Sequence, residues 1–147
     1  MTNIISLSKR KRLRKAARML IKDKIPFEVL SEIGISNDEL WLLFDAIDYL
    51  KEKFPNKSAS WYERSVYRFI TKSVRKVGKN KWIVRGLREL DDYYDSYTVI
   101  FNEHKKKYYC DCFYTLYGQV RQRRVCSHIG SVIIYNQYEK QLKVIKE

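Results

Sequence analysis

The chain has 147 residues, 45% of them apolar and 14% aromatic, with five glycines and two prolines; that composition can bury a core in one domain or two small lobes and excludes long disordered linkers. Against 17 Asp and Glu stand 30 Lys and Arg, a net charge of +13 that exceeds what solubility needs and points to a polyanionic partner. No apolar run approaches the ~18–20 residues of a membrane-spanning helix, and Ile4, Ile5 and Leu7 precede the first charges, the reverse of a secretory signal, so the expected setting is cytoplasmic (or nucleoid or nuclear), reducing, and without a membrane partner.

In chain order, Ser8 is placed to cap a first helix running to about Asp23, with Leu13, Ala16, Ala17, Leu20 and Ile21 on one face. Its other face carries Lys11, Arg12, Arg14, Lys15 and Arg18, a row suited to phosphate. Pro26 opens a short helical turn, Phe27 to Ile33, which Gly34 closes. The capping box Ser36-x-x-Glu39 then starts a helix to about Lys53, with Leu40, Leu43, Phe44, Ile47 and Leu50 as its apolar spine. Asp38, Asp45, Asp48 and Glu52 form an acid stripe on the outside, expected to dock against the first or third helix.

After Pro55, Ser60-x-x-Glu63 predicts a third long helix ending near Gly78. On a helical wheel Arg64, Arg68, Lys72, Arg75, Lys76 and Lys79 share one sector, and Tyr62, Val66, Phe69, Ile70, Val74 and Val77 share the other. A row of cations about one turn apart suits a run of phosphates or a groove. From Lys81 the period changes to two. Trp82 and Val84, then Tyr97, Val99 and Phe101, then Tyr108 and Cys110 predict three antiparallel strands, with acidic residues crowding the first loop and Asn102 to Lys106 making the second turn.

All three cysteines and one of two histidines fall in the next stretch, as Cys110-x-Cys112, thirteen residues, then Cys126-x-His128. Three thiolates and one imidazole complete a tetrahedral zinc site with Zn–S near ~2.3 Å and leave no open position for water or substrate. Two other readings stand beside it: inert buried cysteines, and a Cys126–His128 nucleophile and base, which would lack an orienting third group and leave Cys110 and Cys112 unexplained. Between the pairs, Gly118-Gln119 is expected to tip a hairpin arm on which Tyr117, Arg121, Arg123 and Arg124 combine stacking surface with phosphate contacts. His128 should begin the last helix, with Ile129, Val132 and Ile133 packed on the sheet.

Trp82-x-Val84-x-Gly86, Tyr97-x-Val99, Cys110-x-Cys112 and Cys126-x-His128-Ile129 together resemble a SWIM-type zinc finger over residues 79 to 140. The resemblance implies one structural zinc ion on Cys110, Cys112, Cys126 and His128, in a finger that binds DNA or proteins.

The expectation is therefore an α+β protein: a basic helical lobe over residues 1–78, then a lobe over 79–147 built from a small antiparallel sheet and a helix around the zinc. Its expected function is nucleic-acid binding, to DNA or to structured RNA such as ribosomal RNA, without catalysis and without a small-molecule substrate. The alternative is a protein–protein adaptor in a recombination, chromatin or ribosome-associated assembly, a larger protein or ribonucleoprotein complex in which the finger is the docking module.

Overall fold

A computed structural model describes residues 7–114 and 125–146. Among these residues five α-helices and a four-stranded antiparallel sheet form the mixed α+β architecture expected from the sequence. Helix α1 (Leu7–Ile21) buries Leu13, Ala16, Ala17 and Leu20. A 3-10 turn at Phe27–Val29 leads into α2 (Leu30–Ile33), which ends at Gly34 with φ of 76°, its N–H donating to the Leu30 carbonyl. Only glycine takes that left-handed conformation at little cost.

Helix α3 (Asn37–Lys53) starts at Ser36, whose hydroxyl accepts from the Glu39 N–H at 3.3 Å. It buries Leu40, Leu42, Leu43, Ala46, Ile47 and Leu50. The acid stripe does not dock on a basic helix: Asp38, Asp45, Asp48 and Glu52 are all exposed, and Gln137 of the last helix donates to Asp45 at 3.4 Å. The apolar face of α3 is taken by the last helix, which leaves the opposite stripe to solvent.

Helix α4 (Ala59–Ile70) is capped two residues earlier than expected. Ser58, not Ser60, accepts the Trp61 N–H at 3.1 Å. It also ends eight residues before Gly78. Thr71 Oγ1 turns back onto the Tyr67 and Arg68 carbonyls, and Lys72 adopts a left-handed φ of 58°, so the backbone leaves the helix there. Val74–Gly78 is instead strand β1, and the helical wheel that placed Arg75 and Lys76 in line with Arg64 does not apply to them.

Strand β2 (Lys81–Arg85) pairs with β1, β3 (Ser96–Asn102) with β2, and β4 (Lys107–Cys110) with β3, all antiparallel and in sequence order. The sheet thus has one strand more than the three expected. Val74, Val84, Tyr97, Trp82, Val99 and Cys110 line its inner face, as the register pairs Val84 with Val74 and Tyr97, and Val99 with Trp82 and Cys110.

Helix α5 (Ser127–Lys146) runs between the sheet, α3 and α4, and buries an unbroken run from Ser127 to Ile134. No helix among the described residues is long and apolar enough to cross a membrane. The boundary expected between residues 78 and 79 falls inside the β1–β2 hairpin, and the buried apolar side chains form one cluster from Leu13 through Val84 to Tyr138. Close approach at Gly130 makes that packing possible: a Cβ there would lie 2.2 Å from Ser65 Oγ and 3.1 Å from the Trp61 ring.

Candidate metal centre

Strand β4 delivers Cys110 as its last residue, and a 3-10 turn over Asp111–Tyr114 brings Cys112 back beside it. Asp111 holds that turn against β3 by accepting the Thr98 N–H at 3.0 Å. Cys126 and His128 approach from the start of α5. Their position is set by α4, where the Trp61 indole N–H donates to the Val125 carbonyl at 2.9 Å. One ligand atom from each of Cys110, Cys112, Cys126 and His128 lies within 4.8 Å of the others. Tetrahedral zinc needs ligand atoms roughly 3.8 Å apart, so a bound ion requires a contraction of about 1 Å on the longest edge. The four residues can hold one metal ion, and the donor set is consistent with zinc.

Electrostatics at the cluster favour a cation. Hydrogen bonding to Cys112 and Cys126, with burial, pushes the Cys110 thiol up, so it keeps its proton. Burial also opposes ionisation of Cys126, but the Cys110 and Cys112 thiols and the adjacent His128 pull it well down. Cys110 and Cys112 are buried and Cys126 is half-buried. A metal ion bound there would supply positive charge and deprotonate the thiols.

His128 is 2% exposed, and its two ring nitrogens have different surroundings. Nε2 lies 3.1 Å from Asp92 Oδ1, whereas Nδ1 is buried without a hydrogen-bond partner among the described residues. The Tyr97 ring stacks on the imidazole at 4.1 Å. Asp92 is itself gripped by Arg68, whose Nη1 and Nη2 donate at 2.5 and 2.9 Å, and by the Leu87 N–H at 2.8 Å. Burial alone would raise the Asp92 carboxyl, yet the bonds from His128 and Arg68 and the guanidinium charge hold it well below the usual carboxylate range.

Arg68 is therefore not a phosphate contact. It is 1% exposed, with Nε donating to Ser127 Oγ at 3.1 Å and the rest of its guanidinium on Asp92. Trp61, Ser65 and Arg68, at i, i+4 and i+7, form the seam of α4 against the start of α5 through Val125, Gly130 and Ser127. Two more of the expected contacts also turn inward. Arg64 donates to the Leu90 carbonyl at 3.3 Å, and Arg14 donates to the Glu89 carbonyl and the Glu63 carboxylate, each at 3.4 Å. Tyr67 donates to Glu89 at 2.7 Å, so α1 and α4 together clamp the loop that carries Asp92.

The remaining expected contacts lie on the surface. Arg12 pairs with Glu32 at 3.1 Å and Arg18 with Glu63 at 3.8 Å, both partly exposed. Lys11, Arg14, Lys15, Arg18, Lys22 and Lys24 surround Met19 in an open depression of about 660 Å³. Lys72 is exposed just after α4, Arg75 and Lys76 lie exposed on the edge strand β1, and Lys79 reaches Glu103 at 3.5 Å. Tyr117, Arg121, Arg123 and Arg124, with the expected hairpin arm, lie outside the described residues.

Asp92, Tyr97 and the role of Arg68 were not legible as parts of the centre. Asp92 is one of four acids between Glu89 and Asp95, and nothing in the sequence marks it off from Asp91 beside it. Compared with protein-family models, curated proteins and solved structures, the chain has no match in any of the three.

Proposed function

We propose that the protein is a zinc-stabilised, non-enzymatic nucleic-acid-binding protein, with a SWIM-type finger formed by the sheet and the start of α5. The observation that carries the metal half is the gathering of one ligand atom from each of the four residues within 4.8 Å, with His128 Nδ1 buried and without a hydrogen-bond partner among the described residues. All four positions of a tetrahedral ion would be filled by protein, so it would cross-link β4, the following turn and α5, and present nothing to a substrate. The nucleic-acid half is supported by the +13 charge and by the basic depression on α1.

Elemental analysis of protein prepared under reducing conditions should return one zinc per chain. Binding to mixed-sequence DNA and to structured RNA should weaken with salt, with a log–log slope of about −0.9 per duplex phosphate contacted. Protein without metal would remove the first half of the proposal. Metal-loaded protein that binds neither polymer at low salt would remove the second.

One observation favours an adaptor as a second reading. Trp41 is 54% exposed in the midst of the acid stripe of α3, and exposed tryptophans are frequent anchors of protein interfaces. An adaptor would retain a defined protein at any salt, whereas the nucleic-acid reading expects polymer that high salt releases.

A further inference from the structure

We propose that Asp92, held by Arg68, is the outer-shell carboxylate of the metal centre: it fixes the tautomer and aim of His128 and so makes metal affinity depend on helix α4. The inference rests on the metal-binding reading of the cysteine–histidine cluster and adds to it two residues that lie 18 and 42 positions before the first cysteine.

Among the described residues Asp92 has four hydrogen-bond contacts. Oδ1 faces His128 Nε2 at 3.1 Å and Arg68 Nη2 at 2.9 Å, and Oδ2 faces Arg68 Nη1 at 2.5 Å and the Leu87 N–H at 2.8 Å. An ionised carboxylate offers about four acceptor positions and no donor, so all four are used and the imidazole nitrogen that meets Oδ1 must carry the proton. A neutral imidazole has one N–H. Its second nitrogen, Nδ1, is then a bare lone pair; this atom is buried with no hydrogen-bond partner among the described residues, and His128 is the nitrogen donor of the cluster. Metal ligation requires that lone pair, and a carboxylate behind a ligating histidine supplies it by fixing ring orientation and raising basicity.

Arg68 keeps Asp92 from turning away. The side chains of Arg68, Asp92 and His128 are 2%, 6% and 3% exposed, so water does not compete for these bonds. Tyr97 closes one face of the imidazole and Ser127 fixes the far end of the guanidinium. The guanidinium–carboxylate pair alone could serve only to fasten the 87–92 loop to α4. The experiment must therefore separate holding the loop from aiming the histidine.

Zinc affinity of the full chain, measured by competition with a chelator, should fall about 10- to 100-fold in Asp92→Ala, with a smaller loss in Asp92→Asn, whose amide oxygen still accepts from Nε2. Nitrogen-15 spectra of the zinc-loaded wild type should report His128 protonated at Nε2 and metallated at Nδ1. The double substitution Arg68→Met with Asp92→Leu replaces the buried pair by apolar groups, an exchange that commonly preserves stability. If Asp92 aims the histidine, that double variant stays folded with zinc affinity still about 10-fold or more below wild type. Recovery of wild-type affinity in the folded double variant, or a His128 metallated at Nε2, would overturn the inference while leaving metal binding intact. A wild type that takes up no zinc would instead overturn the metal-binding reading beneath it.

Discussion

Replacing Gly86 by alanine tests whether the loop between β2 and β3 is positioned as described. A Cβ built there would sit 1.8 Å from the Tyr94 carbonyl oxygen and 3.1 Å from the Asp95 carbonyl carbon. Those are backbone atoms, and no rotamer change removes them. To reach even the tight limit of 3.0 Å the Tyr94 carbonyl must retreat by about 1.2 Å. That displacement breaks the Gly86 N–H bond to the Asp95 carbonyl at 2.7 Å, and it pulls the Tyr93 and Tyr94 N–H groups off the Tyr97 hydroxyl, which accepts them at 2.9 and 3.0 Å. Two or three hydrogen bonds at about 0.5–1.5 kcal/mol each, with the residual crowding, give a destabilisation of about 2–4 kcal/mol. Urea unfolding of metal-saturated wild type and Gly86→Ala, followed by tryptophan fluorescence, measures it directly. A loss below about 1 kcal/mol would refute the close approach of residues 86 and 94.

Gly130→Ala should cost about 1–3 kcal/mol in thermal unfolding despite alanine's advantage of about 1 kcal/mol in a helix, because Ser65 Cβ and the Trp61 ring lie 3.0 and 3.1 Å from the new methyl. Adding Ser65→Gly should recover part of the loss, and no recovery would mean that the two helices do not meet at this point. Ser58→Ala should cost about 1 kcal/mol and Ser60→Ala well under half of that, since the hydroxyl of Ser58 accepts the Trp61 N–H; equal costs in urea unfolding would put the helix start elsewhere. Burial raises Tyr67, Tyr108 and Tyr138 above the ordinary 10.0, and Glu89 and Glu39 add to this at Tyr67 and Tyr138. Unfolded phenols then ionise first, so stability is full below the ordinary phenol range and is lost as pH rises through the higher folded values. The urea midpoint of the metal-loaded protein should fall accordingly, with tyrosinate absorbance of these three rings arising only on unfolding; a midpoint flat through that range would contradict their burial.

The legible parts of the chain were those where one local signal had no competitor. The ligand pattern at Cys110, Cys112, Cys126 and His128 depends on residue type and spacing alone, and the fold brings the four together. Ser36 with Glu39, and Gly34 at its positive φ, are likewise local geometry. The stretch from 71 to 78 misled because Val74 and Val77, three apart, fit a helical period with Phe69 and Ile70, whereas in strand β1 they fall on opposite sides and Val77 is exposed. The decision belonged to Thr71 and Lys72, whose backbone turn no periodicity records. Arg68 misled for another reason. A cation on a helix reads as surface unless its partner is known, and Asp92 lies 24 residues on, in a loop whose path depends on Gly86 and Tyr97. The cysteine and histidine spacing pointed to the four clustered residues, but the hydrogen bonds behind His128 are a tertiary property.

The surplus charge gives its own prediction, because binding and stability should respond to it with opposite signs. Even if every one of the 17 carboxylates took a cation, 13 of the 30 would remain unpaired. The fold widens that gap: Asp38, Asp48 and Glu52 stay exposed on α3 away from the basic helices, and Glu39 accepts from a tyrosine. Meanwhile Arg14, Arg64 and Arg68 turn inward to the 87–92 loop, and one part of the solvent-facing excess lies on Lys11, Lys15, Lys22 and Lys24 around Met19, apart from the exposed cations of β1 and of the β3–β4 turn. Like charges so close repel, and the compact state bears that cost whether or not a ligand is present. Reversing Lys11, Lys15 and Lys22 to glutamate should therefore raise the melting temperature at low salt. The same variant should bind nucleic acid more weakly, with a log–log salt slope shallower by about 0.9 for each phosphate contact removed. A variant that is stabilised and still binds with the full slope would place the interface elsewhere on the molecule. One that is neither stabilised nor weakened would mean that these lysines are too far apart to act together.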